Sequence, residues 1–130
     1  MSYIDADGCE IHYSRAGENP DAPAVVLLGE LGLGAWQWSW QYGALAGPCR
    51  TIVVDLRGAG RSDTPAGPYA MGDLVGDLEA VLTDCSIRAA PLVGCGLGGA
   101  VALAAARRTN RARSLTLIGT PHGSAASRLA

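Results

Sequence analysis

A glycine-rich turn, Gly94 to Gly99, separates an apolar run from an alanine-rich segment. The apolar run at residues 89–93 predicts a strand, and the segment at residues 97–108 predicts a helix. A tight turn from a strand into a helix brings backbone N–H groups and one side chain to the edge of a sheet. The rest of the chain is organised around this turn, so what the turn binds or catalyses is the main functional question.

Strands and helices alternate along the chain. Residues 24–28 and 51–54 are continuously apolar, which is typical of strands buried on both faces, and Leu and Val recur at helical spacing in residues 71–83. Asp7-Gly8 is a strong turn signal and predicts an N-terminal antiparallel hairpin. The alternation implies parallel βαβ units, and thus an α/β fold of three layers around a mostly parallel sheet. The predicted strands are residues 2–5, 10–16, 24–28, 51–54, 89–93 and 114–118, and the predicted helices are residues 35–45, 71–83 and 97–108.

The length of 130 residues and the 48% content of hydrophobic residues fit one domain, residues 1–130, with a packed core. The four cysteines show no C-x-x-C spacing, which argues against a metal site or a disulfide scaffold and fits a reducing cytoplasm. The N-terminus lacks the basic and apolar regions of a signal peptide, and no apolar run is long enough to span a bilayer. We therefore expect a cytoplasmic protein that binds neither a metal nor a membrane.

Charge is distributed unevenly along the chain. Residues 1–85 carry all 12 acidic residues and four arginines, a net charge of −8, whereas residues 86–130 carry six arginines and no acid. A basic half is one property of nucleic-acid-binding proteins. However, Arg107, Arg108 and Arg111 fall at the end of a predicted helix, where positive charge interacts favourably with the helix dipole. We therefore expect no nucleic-acid partner.

Two chemistries use a glycine turn between a strand and a helix. Gly94, Gly96 and Gly99 fit the G-x-G-x-x-G fingerprint of dinucleotide binding. That fingerprint also needs an acid about 20 residues further on to bind the ribose, and no residue after Asp84 is acidic. The turn also comes late in the chain instead of at its first βα unit. The sequence therefore favours the second chemistry, a nucleophile elbow of the form G-x-S-x-G, and we expect no cofactor.

Three stretches, in the same order, resemble the α/β-hydrolase superfamily. Residues 25–28 and the glycine-bearing loop after them resemble its strand and oxyanion loop, V-V-L-L-H-G. Residues 55–62, Asp-Leu-Arg-Gly-Ala-Gly-Arg-Ser, resemble its specific D-x-R-G-x-G-x-S turn, and residues 93–99 resemble V-G-H-S-L-G-G around the nucleophile. The likeness covers about residues 1–120. It implies the N-terminal half of an α/β-hydrolase fold, truncated, and a turn at residues 55–62 whose charges pair locally.

The resemblance extends to lactonases, esterases and epoxide hydrolases, and it implies hydrolysis of small ester- or lactone-type molecules. The nucleophile position departs from this pattern. By resemblance it is Gly96, which has no side chain, whereas an elbow needs Ser, Asp or Cys to present to the substrate. Cys95 is the alternative nucleophile, since a helix N-terminus can activate a nearby thiol. In an elbow, the side chain at the position of Cys95 does not point towards the substrate, so the sequence favours a small buried thiol at this residue.

The oxyanion loop departs as well. By resemblance, the backbone N–H groups of Leu31 and Leu97 form the oxyanion hole, which stabilises negative charge that develops on a substrate. Where the family has His followed by Gly, this chain has Gly29 followed by Glu30. A carboxylate beside the hole would oppose that charge. We expect Glu30 to face solvent instead.

The catalytic acid and histidine of the family come from loops after later strands, which this chain does not reach. His12, in the hairpin, and His122, after the last predicted strand, are not at the family's positions. We therefore expect no hydrolysis by this chain alone, and whether it is an enzyme stays open. The alternatives are one half of a split hydrolase completed by a second chain, a non-catalytic binding or scaffold protein, and a remnant that barely folds.

Two further features bear on partners. The strand predicted at residues 114–118 would be an unpaired edge, which invites association with a complementing C-terminal chain or with a second copy. Trp36, Trp38 and Trp40 could line a pocket for a small apolar ligand. Helical spacing places Trp36 and Trp40 on one face, which favours packing in the core.

Overall fold

A six-stranded sheet with helices on both faces is seen in the computed structural model, which describes residues 2–121. The strands are β1 (Ser2–Ala6), β2 (Cys9–Ala16), β3 (Ala24–Leu28), β4 (Arg50–Val54), β5 (Ala90–Cys95) and β6 (Ala112–Ile118). The helices are α1 (Ser39–Leu45), α2 (Met71–Asp84) and α3 (Leu97–Arg108), and a 3₁₀ turn, Ala35–Trp38, precedes α1. Every predicted strand is present, as are the helices predicted at residues 71–83 and 97–108.

The strand order is β1-β2-β4-β3-β5-β6. The hairpin of β1 and β2 is antiparallel, as predicted, with Ile4 opposite Ile11, and the chain reverses at Asp7 and Gly8, which both have positive φ. β2 also runs antiparallel to β4, whereas β3 with β4, β3 with β5 and β5 with β6 are parallel. The mostly parallel sheet is therefore confirmed, and β6 forms one edge of it within residues 2–121.

Alternate residues of β3 face two core clusters on opposite sides of the sheet. Val26 and Leu28 belong to the larger cluster, to which α2 and α3 contribute. Val25 and Leu27 belong to the smaller cluster, with Trp38 and side chains of α1. All five residues of β3 are buried, as expected for a strand covered on both faces. Helices α2 and α3 thus cover one face and α1 the other, which confirms the three layers.

The segment before β4 differs from the prediction of one helix. Residues 35–38 form a 3₁₀ turn, and only the next seven residues are α-helical. Because a 3₁₀ turn has three residues per turn, it moves Trp36 out of line with Trp40. These two side chains are 68% and 88% exposed, whereas Trp38 is 5% exposed. Core packing of Trp36 and Trp40 is therefore a wrong prediction, and Trp38 is the tryptophan that packs on the sheet.

The turn after β4 is held on two sides. Ser62 Oγ accepts the N–H of His12 at 2.8 Å and donates to the carbonyl of Asp55, whose Oδ2 lies 2.8 Å from His12 Nδ1. Arg57 turns to α2, where its Nη2 lies 2.7 Å from Oδ1 of Asp77. Local pairing within the turn is therefore a wrong prediction for Arg57, because its partner is on a helix. These contacts fix the turn beside the loop that follows β3.

Candidate functional site

Gly96 forms the turn between β5 and α3, with φ 57° and ψ −118°. A residue with a side chain is strained in this region by about 1–3 kcal/mol, whereas glycine adopts it readily. The nucleophile elbow is a strained turn of this kind. The backbone therefore has the geometry that presents a residue at the sheet edge, and the residue presented has no side chain.

Two other glycines let α3 lie directly against the ends of the parallel strands. A Cβ on Gly98 would overlap the carbonyl group of Leu28, and a Cβ on Gly94 would overlap the backbone of Gly99 in the first turn of α3. The backbone of α3 therefore approaches β3 and β5 with no side chain between them. This approach brings the N–H of Leu97, the first residue of α3, next to the loop that follows β3.

The carboxylate of Glu30 lies between the two N–H groups that the resemblance assigns to an oxyanion hole. Its Oε1 accepts the N–H of Leu31 at 2.7 Å and the N–H of Leu97 at 2.9 Å. The N–H of Glu30 donates to Oε1 of Gln37 at 2.8 Å, and the Glu30 carbonyl accepts the N–H of Leu33 at 3.0 Å. The structure therefore brings Leu31 and Leu97 together on a single oxygen atom of a residue that is itself held in a turn.

The expectation that Glu30 faces solvent is wrong, because the half-buried side chain turns inward to α3. The first N–H groups of a helix have no acceptor within the helix. The positive end of the helix dipole also favours a negative group at this place. The Glu30 carboxylate satisfies both requirements for Leu97, which explains its inward position.

The same carboxylate takes the space that a side chain at residue 96 would need. A Cβ built on Gly96 would overlap Oε2 of Glu30. The two departures from the family pattern are therefore complementary, since the missing side chain at one position makes room for the carboxylate from the other. The sequence shows the two departures without the contact between them. The signal it offers is that both lie on segments, the oxyanion loop and the elbow, that are adjacent in the fold it resembles.

Cys95, the alternative nucleophile, packs on the face of the sheet opposite to α2 and α3. It is half-buried against the smaller core cluster, which includes Val25, Leu27 and Val53. This is the packing of a small apolar side chain. A nucleophilic role for Cys95 stays a prediction.

A cavity of about 70 Å³ lies beside Glu30, between the loop after β3 and the turn after β4. Apolar side chains such as Leu56 and Leu74 form much of its wall, together with Tyr69. The Tyr69 hydroxyl donates to a backbone carbonyl at 2.6 Å. Glu30 and Arg57 are the charged residues of the wall. The arrangement provides a small, mainly apolar space with a carboxylate at one side.

The charge of Arg57 is matched within the protein. Its Nε lies 3.0 Å from Oδ2 of Asp77 and its Nη2 lies 2.7 Å from Oδ1, while its backbone N–H also donates to this carboxylate. The hydrogen bonds that Arg57 donates to Asp77 raise the pKa of the Arg57 guanidinium above its ordinary value. Arg57 is therefore a fixed cation that ties the cavity wall to α2.

Within residues 2–121 the single histidine is His12, which lies in β2, is 2% exposed and contacts Asp55 instead of Glu30 or Gly96. His122 lies outside the described residues. Over the same range, no three or more His, Cys, Asp or Glu side chains are grouped so that they could hold a metal ion. No helix found there combines the length and apolar character that crossing a membrane requires.

The doubly covered sheet and the elbow turn define a protein of the α/β-hydrolase class. A profile of the alpha/beta hydrolase fold matches residues 23–129, and the chain belongs to this family. The 3-oxoadipate enol-lactonase 2 of Acinetobacter baylyi is 31% identical over 96 residues, which are 74% of this chain and 36% of that protein. Epoxide hydrolase 3 of Xenopus tropicalis is 31% identical over 121 residues, 91% of this chain and 33% of that protein.

Solved structures give the same result. The enol-lactonase of Burkholderia xenovorans is 35% identical, with a TM-score of 0.86 over 92% of this chain and 46% of that chain. This chain thus spans between a third and a half of the length of these relatives. Because the chain belongs to this family, the turn at residues 94–99 is interpreted as an elbow turn and not as a dinucleotide-binding fingerprint.

Proposed function

We propose that this α/β-hydrolase-fold chain binds a small, mainly apolar molecule beside Glu30 and does not hydrolyse esters through residue 96. One observation carries the proposal, namely that Oε1 of Glu30 accepts both N–H groups, of Leu31 and Leu97, at 2.7 and 2.9 Å. A substrate carbonyl would have to displace a half-buried carboxylate whose two hydrogen bonds together contribute about 2 kcal/mol. Because Gly96 adds no nucleophile, both components of acyl transfer are missing from this turn.

The cavity supports binding of a small molecule. Its apolar walls can bury the body of a ligand, and Glu30 supplies a polar group that orients it. At about 70 Å³, roughly half the volume of a cavity that encloses benzene, the space suits a short chain or one side of a small ring. Two contacts fix the walls, one from Arg57 to Asp77 and one from Tyr69 to the backbone, so the space is formed before a ligand enters.

The test combines an activity assay with a covalent probe. We expect the chain to release p-nitrophenol from p-nitrophenyl acetate no faster than buffer does, and to form no adduct with a fluorophosphonate in an intact-mass measurement. Release of p-nitrophenol faster than in buffer would overturn the expected lack of esterase activity. If that release came with a stoichiometric acetyl adduct on Cys95, and was lost in Cys95→Ala but retained in the matched variant Cys49→Ala, it would place the nucleophile at Cys95. Binding is measured separately, from the amide resonances of Leu31 and Leu97 during titration with small cyclic compounds.

A second candidate function is hydrolysis of ester- or lactone-type molecules in a complex with another chain. It is favoured by the 35% identity to an enol-lactonase of which this chain covers 46%, and by β6, where Leu117 and Ile118 are 42% and 47% exposed. Unpaired strands with apolar side chains are templates for a further strand. Purification of the native assembly tests it: esterase activity in a stoichiometric complex, absent from the chain alone, favours this candidate, and an inactive single chain excludes it.

A further inference from the structure

We propose that Glu30 makes this site a hydrogen-bond acceptor, so that the ligand of the cavity carries an O–H or N–H donor, as an alcohol or a protonated amine does. An oxyanion hole has the opposite polarity, because its N–H groups bind a carbonyl oxygen. The inference rests on the proposed function, since it requires a ligand beside Glu30.

The two oxygen atoms of the Glu30 carboxylate have different roles. Within residues 2–121, both hydrogen bonds to the carboxylate end on Oε1. Oε2 lies where the Cβ of residue 96 would be, at the elbow, and Glu30 forms part of the cavity wall. An ionised carboxylate oxygen accepts hydrogen bonds and cannot donate them. The polar atom that remains for a ligand is therefore an acceptor.

Several hydrogen-bond donors of the cavity wall are already engaged within the protein. The N–H groups of Leu31 and Leu97 donate to Oε1 of Glu30. Arg57 uses Nε and Nη2 on Asp77, and the hydroxyl of Tyr69 donates to a backbone carbonyl. A ketone or an ester placed here would leave its oxygen facing the carboxylate, whereas an alcohol would donate to it.

This difference in polarity can be measured with two probes of almost the same shape. Cyclopentanol carries an O–H donor and acceptor, whereas cyclopentanone carries an acceptor alone. The alcohol donates a hydrogen bond to the charged carboxylate, whereas the carbonyl oxygen of the ketone would lie unpaired beside it. We expect this difference to lower the Kd of the alcohol by about tenfold or more relative to that of the ketone. Cyclopentylammonium should bind at least as well as the alcohol, because its charge is opposite to that of Glu30.

The experiment titrates the ¹⁵N-labelled chain with each probe and follows the amide resonances of Leu31 and Leu97. In the unchanged protein we expect cyclopentanol to saturate these shifts at a concentration about tenfold lower than cyclopentanone does. Glu30→Gln is the matched variant, since its amide oxygen still accepts both N–H groups while its NH₂ replaces Oε2 with a donor. In Glu30→Gln we expect the preference for cyclopentanol to disappear, because both probes can accept a hydrogen bond from the NH₂ group.

The outcomes separate this inference from the proposed function. If the unchanged protein binds both probes equally well at these amides, or prefers the ketone, the inference is overturned while the binding function stands. If neither probe shifts the two amides, the binding function itself fails and the inference falls with it. The comparison in the unchanged protein is decisive even where Glu30→Gln does not fold.

Discussion

Replacing Gly96 with alanine tests whether Glu30 fills the space above the elbow. The added Cβ overlaps Oε2 of Glu30, so the carboxylate has to leave its two N–H donors. The backbone at φ 57° and ψ −118° adds strain of about 1–3 kcal/mol. Loss of two hydrogen bonds to a charged but half-buried acceptor, partly replaced by water, adds about 2 kcal/mol. We therefore expect Gly96→Ala to lower the free energy of unfolding by about 3–5 kcal/mol.

A double-mutant cycle isolates the part that comes from displacement of Glu30. Glu30→Ala removes the same two hydrogen bonds, at a cost of about 2 kcal/mol. The double variant loses these bonds only once, so it should be more stable than the sum of the single changes indicates, by about 2 kcal/mol. The strain at residue 96 is present in both backgrounds and cancels.

Urea unfolding followed by tryptophan fluorescence gives the four free energies. Gly76→Ala is the matched control, because Gly76 lies within α2 and an added Cβ there would meet nothing within 4 Å. This control should combine with Glu30→Ala additively, within about 0.5 kcal/mol. Additivity of Gly96→Ala and Glu30→Ala within the same margin would refute the conclusion that the two positions share one space.

Three further predictions concern the framework of the site. Asp77→Asn should lower the free energy of unfolding, measured in urea, by about 3–5 kcal/mol, because Asp77 is fully buried and Arg57 loses its counter-charge. A decrease below about 1 kcal/mol, which is typical of an exposed ion pair, would contradict this prediction. Burial and the hydrogen bond to Asp84 raise the pKa of Tyr13 above its ordinary value of 10.0, so the unfolded chain releases this proton first and stability falls as pH rises above 10. Tyr13→Phe should reduce that fall by up to about 1.4 kcal/mol per pH unit, and an unchanged slope argues against it. Gly98→Ala should lower the free energy of unfolding by about 1–3 kcal/mol, because the added Cβ forces α3 away from β3. An effect no larger than that of Gly76→Ala would show that the close approach of α3 to β3 is unimportant for stability.

The order of strands and helices could be predicted because its signals are local. Continuous apolar runs mark β3 and β4, and the glycines between β5 and α3 mark a tight turn wherever the two segments lie in space. The family resemblance identified this turn as an elbow. It also pointed to Leu31 and Leu97, whose N–H groups the structure places on one atom.

The position of Glu30 could not be predicted in the same way. Its carboxylate accepts the N–H of a residue 67 positions further along the chain, so the contact exists only once β3 and α3 are packed together. The pairing of Arg57 with Asp77, 20 positions apart, has the same origin. The exposure of Trp36 was missed for a different reason, because residue spacing does not distinguish a 3₁₀ turn from the first turn of an α-helix.

The most direct test of the Glu30 site is hydrogen exchange at the backbone amides of Leu31 and Leu97, measured by NMR in the unchanged protein and in Glu30→Ala. Both N–H groups donate to the same carboxylate oxygen, at 2.7 and 2.9 Å, so removal of the carboxylate deprives both of their acceptor at once. We predict that exchange accelerates at both amides in Glu30→Ala, whereas the Leu33 amide, which donates to the backbone carbonyl of Glu30, exchanges at its former rate. Unchanged rates at Leu31 and Leu97, or a change at one of them alone, would contradict the conclusion that Glu30 occupies this pair of donors.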